Sequence, residues 1–461
     1  MGPYKMSEFM VVGGWVVSEK VIRNGGIVIK ENEIIDVGSA DDLKRKYPGY
    51  EKLDAKGRII IPGLINTHTH AAMSLLRGYA DDLPLQTWLE DWIWPLEARL
   101  TDRDIELGAK LAAAESLLLG VTTINSMYHY FPEHNEAKAF AEIGIRGMIG
   151  HACFSWRKEK DKKLILDSVS KWHGRERGRL RVSIAPHAPY TVDPEYLREL
   201  EMLREELNEK YGEEMGEIIM CTHVAETKNE VKQIEETWRV KLPDHSIIKY
   251  LDRLGILSKS LLIAHAIYVS SSDMDIMARK GVKVSHNPVS NFKLAAGLCP
   301  VPEMIQKGIT VSLGTDSAAS NNSLDMFETM KFASLIHKFA TSNPETLPAK
   351  EVFKMATLNG GIALGWRNLG AISKGYLADI VILNVKKPHV TPMYDVYSHL
   401  IYAVKATDVE TVIVDGKVIV DEGKLLTVNV EKLIDEVALR MEEILAKIKE
   451  VRRRKSREKP S

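Results

Sequence analysis

Cysteine is scarce in this chain. Only 3 of its 461 residues are cysteines, Cys153, Cys221 and Cys299, and no two of them form a CxxC pair. Their wide separation and odd number exclude a disulfide framework and a cysteine-ligated zinc site. The cysteine pattern therefore predicts a reducing compartment.

An excess of charge of either sign is also missing. The chain has 62 Lys and Arg against 63 Asp and Glu, which gives a net charge of −1. Proteins that bind nucleic acids or membrane surfaces present basic surfaces, so we expect neither partner. The basic residues at 452–457 are interpreted as a solvated chain end.

Long apolar runs are absent as well. No stretch of about 18 apolar residues occurs, so no membrane span is predicted. The first residues, MGPYKMSEFMVVGGWVV, lack the basic region, apolar region and cleavage site of a signal peptide. With the cysteine pattern, these absences predict a cytoplasmic protein. The oligomeric state stays open, and a homo-oligomer is compatible with the sequence.

The amino-acid composition, with 45% hydrophobic and 27% charged residues, is that of a globular protein. Both ends contain short strand-like runs, with a hairpin signal at Asp415 and Gly416. These runs are Val11–Val17, Gly26–Val37, Ala378–Leu383 and Val409–Val420. We predict a small discontinuous β-sandwich domain from residues 1–60 and 367–430.

Residues 61–366 alternate strand-like and helix-like segments, which favours a parallel sheet. Helical periodicity covers Asp104–Leu119, Ser272–Lys280 and Ser323–Ala340. Eight apolar runs are candidate strands: Ile59–Thr67, Val121–Ser126, Ile145–Phe154, Leu180–Ala185, Ile218–His223, Leu261–His265, Val282–His286 and Thr310–Gly314. Eight units predict an α/β fold with a TIM-type (β/α)₈ barrel. Residues 431–461 are predicted to form an amphipathic helix on the outside, followed by the basic tail.

Polar side chains follow the carboxyl ends of these strands, the face on which such barrels carry their active sites. His68 and His70 are two residues apart on a strand, so both point to the same side. His223 and Asp316 end two later strands. Three imidazoles and one carboxylate suit Zn²⁺ or Fe²⁺ better than Ca²⁺ or Mg²⁺. The pattern predicts a bound metal that activates water.

Two further residues at the same strand ends fit the chemistry of a hydrolase. Glu226 lies three residues after His223, where it can approach the metal without binding it, and we assign it proton transfer. His265 is expected to orient the attacking water. Strand 4 ends in Ala185, Pro186 and His187 without the lysine that would bridge two metals, so one metal per chain is expected.

Four segments carry a family resemblance: PGLINTHTHAAMSLLRG, THVAET, SHNPVSNFKLAAG and LGTDSAASNNSLDMFE. They resemble the amidohydrolase superfamily, and most closely its 5′-methylthioadenosine/S-adenosylhomocysteine deaminases. The resemblance covers essentially the whole chain. It implies a hydrolytic deaminase that converts adenosine-type nucleosides to inosine derivatives and ammonia, with one Zn²⁺, or alternatively Fe²⁺, per subunit.

The resemblance also assigns residues. The family's metal ligands fall on His68, His70, His223 and Asp316. Its proton-shuttling glutamate falls on Glu226, and its water-orienting histidine falls on His265.

The substrate residues implied by the resemblance are further from the metal ligands in the chain. Glu97 corresponds to the glutamate that binds the ribose hydroxyls, Trp88 to a wall of the nucleoside pocket, and His187 to a substrate-contacting histidine. Similar bacterial enzymes place two arginines after strand 3 for a homocysteine carboxylate. Here His151 takes the first position, and the second falls in the loop 157–163. The sequence therefore favours methylthioadenosine, 5′-deoxyadenosine or adenosine over S-adenosylhomocysteine.

The sequence leaves three other functions open. The same constellation supports guanine or cytosine deamination or triazine hydrolysis, and Glu97 separates these from nucleoside deamination because a free base has no ribose. The second alternative is a non-catalytic binding protein whose barrel has lost its enzymatic activity, and such a protein would lack metal. A nucleic-acid-modifying enzyme is disfavoured by the neutral charge.

Overall fold

The computed structural model describes residues 8–18, 20–83, 87–128 and 135–457, with side chains up to residue 448. Its strands form two separate sheets. In chain order they are β1 Glu8–Val17, β2 Val21–Lys30, β3 Glu33–Ser39, β4 Glu51–Asp54, β5 Arg58–Pro62, β6 Leu64–Thr69, β7 Val121–Tyr128, β8 Arg146–Cys153, β9 Leu180–Pro186, β10 Met220–Val224, β11 Leu261–His265, β12 Lys283–His286, β13 Val311–Leu313, β14 Ile380–Asn384, β15 Val409–Val414, β16 Lys417–Asp421 and β17 Lys424–Leu425.

Strands β6 to β13 form a parallel eight-stranded sheet in which every strand pairs with its neighbour in sequence. Side chains of β6 bond to β13 and to the residues just after it, which closes the sheet into a barrel. Asn66 donates to Thr315 Oγ1 at 2.7 Å, and Thr67 donates to the carbonyl of Leu313 at 2.9 Å. The predicted (β/α)₈ barrel is confirmed.

The second sheet combines both ends of the chain in the order β17-β16-β15-β14-β5-β1-β2-β3, with β4 paired to β1. It is largely antiparallel, although β4 and β5 run parallel to β1. The central pairing of β5 with β14 joins the two ends, and Asp415 and Gly416 turn the hairpin between β15 and β16. The predicted sheet from both ends is therefore confirmed, while the domain limits stay a prediction.

One predicted strand, Ile59–Thr67, is wrong as a single element. It is divided between the two sheets: β5 ends at Pro62 and β6 begins at Leu64. Gly63 marks the break, because an added Cβ there would lie 2.0 Å from Thr122 Oγ1. Its N–H donates to the carbonyl of Asp379 at 2.8 Å, so the crossing is fixed to the second sheet.

Helices pack around the barrel and between its strands, and within the described ranges none is long and apolar enough to cross a membrane. Their bounds are Ala40–Lys46, Trp94–Glu97, Asp102–Leu118, Asn135–Ile143, Lys158–Trp172, Arg175–Gly178, Pro194–Met215, Glu230–Trp238, Ile247–Leu254, Ser271–Lys280, Pro288–Lys293, Val301–Gln306, Met326–Thr341, Ala349–Met355, Leu358–Ala363, Val396–Tyr402 and Val430–Arg457. A π-helical turn, Trp88–Ile93, precedes Trp94.

The C-terminal helix Val430–Arg457 lies against the helix Asp102–Leu118. Its Leu433, Ile444 and Ile448 are buried, as helical spacing requires of an amphipathic face. Arg440 donates to the buried Asp104 carboxylate at 2.6 and 3.0 Å. This pair fastens the end of the chain to the segment that leads from β6 to β7.

A buried histidine makes this fold sensitive to acid. The Nε2–H of His173 donates to the carbonyl of Gly216 at 2.8 Å, and its Nδ1 accepts from the N–H of Val182 at 3.2 Å. Burial lowers the pKa of His173 from 6.5 to about 4. The folded protein therefore keeps this ring neutral, and protonation would break the bond to Val182.

We predict that His173 contributes to acid destabilisation. Because its folded-state pKa is depressed, its stabilisation is complete above pH 6.5 and is lost as the pH falls towards 4. As the pH is lowered, the free energy of unfolding should fall less steeply in His173→Asn than in wild type. The difference in slope should correspond to the uptake of up to about one proton. Denaturant titrations between these pH values measure the slope, and the exposed His245→Asn is the control. Identical slopes in wild type and His173→Asn would contradict the prediction.

Candidate metal centre and active site

Three imidazoles and one carboxylate meet at the mouth of the barrel. His68 lies on β6 with His70 directly after it, His223 lies on β10, and Asp316 follows β13. The Nε2 atoms of His68 and His70 lie 3.5 and 3.3 Å from Asp316 Oδ1. The Nε2 atoms of His70 and His223 lie 3.3 Å apart. Tetrahedral ligands about 2 Å from one zinc ion are separated by about 3.3 Å, so these spacings fit a single cation.

Hydrogen bonds on the far side of two of the rings direct their other nitrogens towards the centre. His70 donates from Nδ1 to the carbonyl of Met127 at 2.5 Å, and His223 donates from Nδ1 to the carbonyl of His187 at 2.6 Å. These bonds leave each Nε2 lone pair available for a metal. Burial lowers the pKa of His68 to about 4, and its Nε2 has no hydrogen-bond partner among the described residues. The residues therefore fit a divalent cation.

Asp316 is held in a strained and fully bonded position. Its backbone is left-handed, with φ of 61°, and its N–H donates to the carbonyl of His68 at 2.9 Å. Ser290 and Ser320 donate to its Oδ2 at 2.6 and 2.9 Å. Oδ1 accepts the N–H of Ser317 at 2.7 Å and is also the oxygen that faces the imidazoles. Although burial opposes ionisation, the two neighbouring histidines hold the pKa of Asp316 well below its usual range.

Glu226 and His265 stand beside the ligands. Glu226 Oε1 lies 3.8 Å from His265 Nε2, and burial raises the pKa of the Glu226 carboxyl above its usual value. His265 is bonded through Nδ1 to Oδ1 of Asn291 at 2.7 Å, which directs Nε2 towards the centre. One donor atom each from His265, His68 and His223 lies within 4.8 Å of the others. A buried carboxyl group with a raised pKa thus adjoins the candidate metal site.

Glu97 lies at the end of the helix Trp94–Glu97. The Tyr128 hydroxyl donates to its Oε1 at 2.6 Å. Burial of the carboxyl group raises the pKa of Glu97 to about 7. Trp88, on the preceding π-helical turn, is buried in one apolar cluster with Leu96 and Tyr128. Its predicted contact with the nucleoside stays a prediction.

His187 directly follows β9 and lies next to the centre. Its ring centroid is 5.0 Å from that of His223, and Phe154 stacks on it with a centroid distance of 4.9 Å. Its Nδ1 is bonded to Thr191 Oγ1 at 2.9 Å. The half-buried ring is thus oriented on several sides, and its predicted substrate contact stays a prediction.

His151 is the predicted residue that the structure does not bring to this group. Along β8, Met148 and Ala152 belong to the interior core of the barrel, whereas Ile149 and Cys153 belong to the core between barrel and helices. Strand alternation puts His151 on the outer side with the latter pair. Its Nε2 is bonded there to the buried Asp161 carboxylate at 2.7 Å. The ring therefore faces a helix, which argues against the substrate role expected from its position in sequence.

The sequence analysis missed the residues that orient the ligands. Ser290, Asn291 and Ser320 lie in the segments SHNPVSNFKLAAG and LGTDSAASNN, which were used only for the resemblance. A signal was present, because Ser320 follows the strand end that carries Asp316, and Ser290 and Asn291 follow β12, which ends on the same face of the barrel. Tyr128 was missed because its strand was predicted to end at Ser126, whereas β7 continues to Tyr128.

The chain belongs to the amidohydrolase family, whose profile matches residues 59–419. Within it, the chain is similar to deaminases. It is 40% identical over 431 residues to a 5′-deoxyadenosine deaminase of Methanosarcina mazei, covering 93% of this chain and 95% of that one. It is 39% identical to a 5-methylthioadenosine/S-adenosylhomocysteine deaminase of Pelotomaculum thermopropionicum, covering 94% and 98%.

A solved structure of another protein has a similar fold. An adenosine deaminase from Xanthomonas campestris with bound zinc has a TM-score of 0.86 and 28% identity, covering 95% of this chain and 99% of that chain. The family resemblance inferred from the sequence is confirmed, and the chain is a hydrolytic deaminase.

The ligand geometry predicts one divalent cation per chain. Changes in the outer partners of metal ligands weaken metal binding by about 10–100-fold, so removal of a ligand in His223→Ala should weaken it by more than about 100-fold. Metal content by mass spectrometry and competition with a chelator measure the stoichiometry and affinity. His245→Ala, at an exposed histidine, is the matched control. Two cations per wild-type chain, or unchanged affinity in His223→Ala, would refute this assignment.

Proposed function

We propose that the protein is a metal-dependent deaminase of adenosine-type nucleosides. The substrates proposed are 5′-methylthioadenosine, S-adenosylhomocysteine, 5′-deoxyadenosine or adenosine, and the products are the inosine derivative and ammonia. The observation that carries the proposal is the 3.8 Å approach of Glu226, which lies outside the ligand group, to His265 beside three imidazoles and a carboxylate. The deaminase names of the relatives support the same reaction.

The residues of the candidate metal centre are proposed to have separate roles. His68, His70, His223 and Asp316 would hold the cation. When bound there, the cation activates water as a nucleophile near neutral pH. We propose Zn²⁺ as the metal, supported by the imidazole-rich donor set and the zinc-bound adenosine deaminase structure, with Fe²⁺ as the alternative.

Glu226 and His265 handle the protons during attack on C6 of the adenine ring. Glu226 takes a proton from the attacking water and delivers it to N1, which breaks the aromaticity of the ring. Glu226 then transfers the remaining proton of the C6 hydroxyl to the amino group, which leaves as ammonia while the C6 carbonyl forms. His265 is neutral at Nε2 when its Nδ1–H donates to Asn291, so it can accept a hydrogen bond from the attacking water. It thereby orients the nucleophile towards C6.

Glu97 favours a nucleoside over a free base. Its carboxylate is proposed to accept hydrogen bonds from the ribose hydroxyls, and the 2.6 Å bond from Tyr128 to Oε1 holds it in place. Guanine, cytosine and triazines have no ribose for this group to bind. Trp88 and His187 are proposed to line the same pocket, whereas the outward ring of His151 favours substrates without a homocysteine carboxylate.

The cellular location and the oligomeric state of the protein are proposals as well. The three cysteines are free and buried, which supports a reducing compartment such as the cytoplasm. The proposed partner is the small-molecule nucleoside, and a homo-oligomer stays a prediction.

Glu226→Gln tests the proton-transfer role. General acid–base catalysis typically contributes about 10²–10⁴-fold, so kcat for ammonia release from 5′-deoxyadenosine should fall by at least about 100-fold. Metal content should stay at the wild-type value, because Glu226 is not a ligand. The matched substitution Glu236→Gln, at an exposed carboxylate, should leave kcat unchanged. Near-normal turnover in Glu226→Gln would refute the role.

Glu97→Gln tests nucleoside recognition. Hydrogen bonds to a charged group contribute about 1.5–3 kcal/mol, so KM for adenosine should rise about 10- to 100-fold. The comparison substrate is 2′,3′-dideoxyadenosine, which lacks the hydroxyls. Wild type should discriminate between the two nucleosides, and Glu97→Gln should not. Asp91→Asn, on the exposed side of the same segment, is the control. Equal discrimination in wild type and Glu97→Gln would exclude ribose binding by Glu97.

A further inference from the structure

A second buried carboxylate lies behind Glu226. Glu230 is the first residue of the helix Glu230–Trp238, and only 1% of its surface is exposed. Its Oε2 accepts the backbone N–H of Glu226 at 2.8 Å. Its Oε1 is buried and has no hydrogen-bond partner among the described residues. Such an arrangement is costly in free energy, because an unsatisfied buried oxygen loses its hydration.

The bond from Glu226 to Glu230 fixes one end of a single peptide unit. The other end of that unit is the carbonyl of Ala225, which accepts the N–H groups of Ile267 and Tyr268, each at 2.9 Å. The plane of the peptide that joins Ala225 to Glu226 is therefore held from both sides. This plane fixes the N–Cα bond of Glu226 and, together with the φ of Glu226, sets the direction in which its side chain leaves the backbone.

The turn needs this support because its backbone is strained. Ala225 has a φ of 56°, in the left-handed region that side chains other than glycine seldom adopt. β10 ends at Val224, so Ala225 is the residue that redirects the chain towards the centre. Loss of one of the two restraints would let the peptide rotate towards an unstrained conformation. Glu226 would then move away from His265.

We infer that Glu230 is a positioning residue that fixes the peptide between Ala225 and Glu226 and so aims the Glu226 carboxylate at the reacting atoms. The inference rests on the proposed role of Glu226 in the deaminase reaction. Glu230 acts through Glu226 and does not itself touch substrate. Its effect should therefore appear in kcat rather than in KM or metal content.

Three substitutions separate this role from a structural one, with 5′-deoxyadenosine as the probe substrate. Glu230→Ala removes the acceptor and should lower kcat by at least about 30-fold, with KM within about threefold of wild type. Glu230→Gln retains an acceptor oxygen at the same reach and should keep kcat within about threefold. Glu230→Asp is one carbon shorter and should behave like Glu230→Ala. The control on the same helix is Glu236→Ala.

A double substitution tests whether Glu230 acts through Glu226. When Glu226→Gln is already present, adding Glu230→Ala should lower kcat by less than about threefold, because the group being aimed is gone. An additive loss would overturn the inference. So would a loss in Glu230→Gln as large as in Glu230→Ala, or an unchanged kcat in Glu230→Ala.

The remaining outcomes are also decisive. If Glu230→Ala does not fold, the contrast between Glu230→Asp and Glu230→Gln is measured instead, and equal kcat values for these two would overturn the inference. A wild-type chain that releases no ammonia from any adenosine analogue overturns the proposed function, and this inference with it. An active wild type with an equally active Glu230→Ala overturns the inference alone.

Discussion

The site depends on how the first and last strands of the barrel are joined. Asn66 and Thr315 are 249 residues apart in sequence and bond through their side chains at 2.7 Å. Just above them, the N–H of Asp316 donates to the carbonyl of His68 at 2.9 Å. Two of the proposed metal ligands, His68 and Asp316, are therefore coupled through their backbones, and closure of the barrel fixes their spacing.

Closure alone would leave these ligands in an unfavourable environment, because buried imidazoles and a buried carboxylate lose their hydration. The surrounding polar side chains compensate for part of this loss. Ser290 and Ser320 satisfy one oxygen of Asp316, and Asn291 satisfies one nitrogen of His265. His68 Nε2 faces the centre without a hydrogen-bond partner among the described residues, and Asp316 Oδ1, which also faces it, accepts the N–H of Ser317 at 2.7 Å. The same hydrogen bonds that stabilise the buried groups thus select which atoms a cation meets.

The sequence predicted those features that are local along the chain. His68 and His70 are separated by the two-residue repeat of a strand. His223 and Asp316 each lie at the end of an apolar run. Both patterns can be recognised from neighbouring residues in the sequence. The break at Gly63 depends on contact with Thr122, a residue from another strand, and no local pattern contains it. The outward direction of His151 was missed for a related reason, because a difference of one residue in strand register reverses the face.

Strain in this site is concentrated in turns rather than in strands. Ala225, His265, Ala266 and Asp316 all have positive φ values, and each follows or ends a barrel strand. The strands hold His68 and His223 with regular backbone, whereas the strained turns direct Asp316 and the groups proposed to transfer protons. A strained turn keeps its geometry only while specific hydrogen bonds oppose relaxation. We therefore expect residues that hold these turns to affect the proposed proton transfer without approaching the substrate.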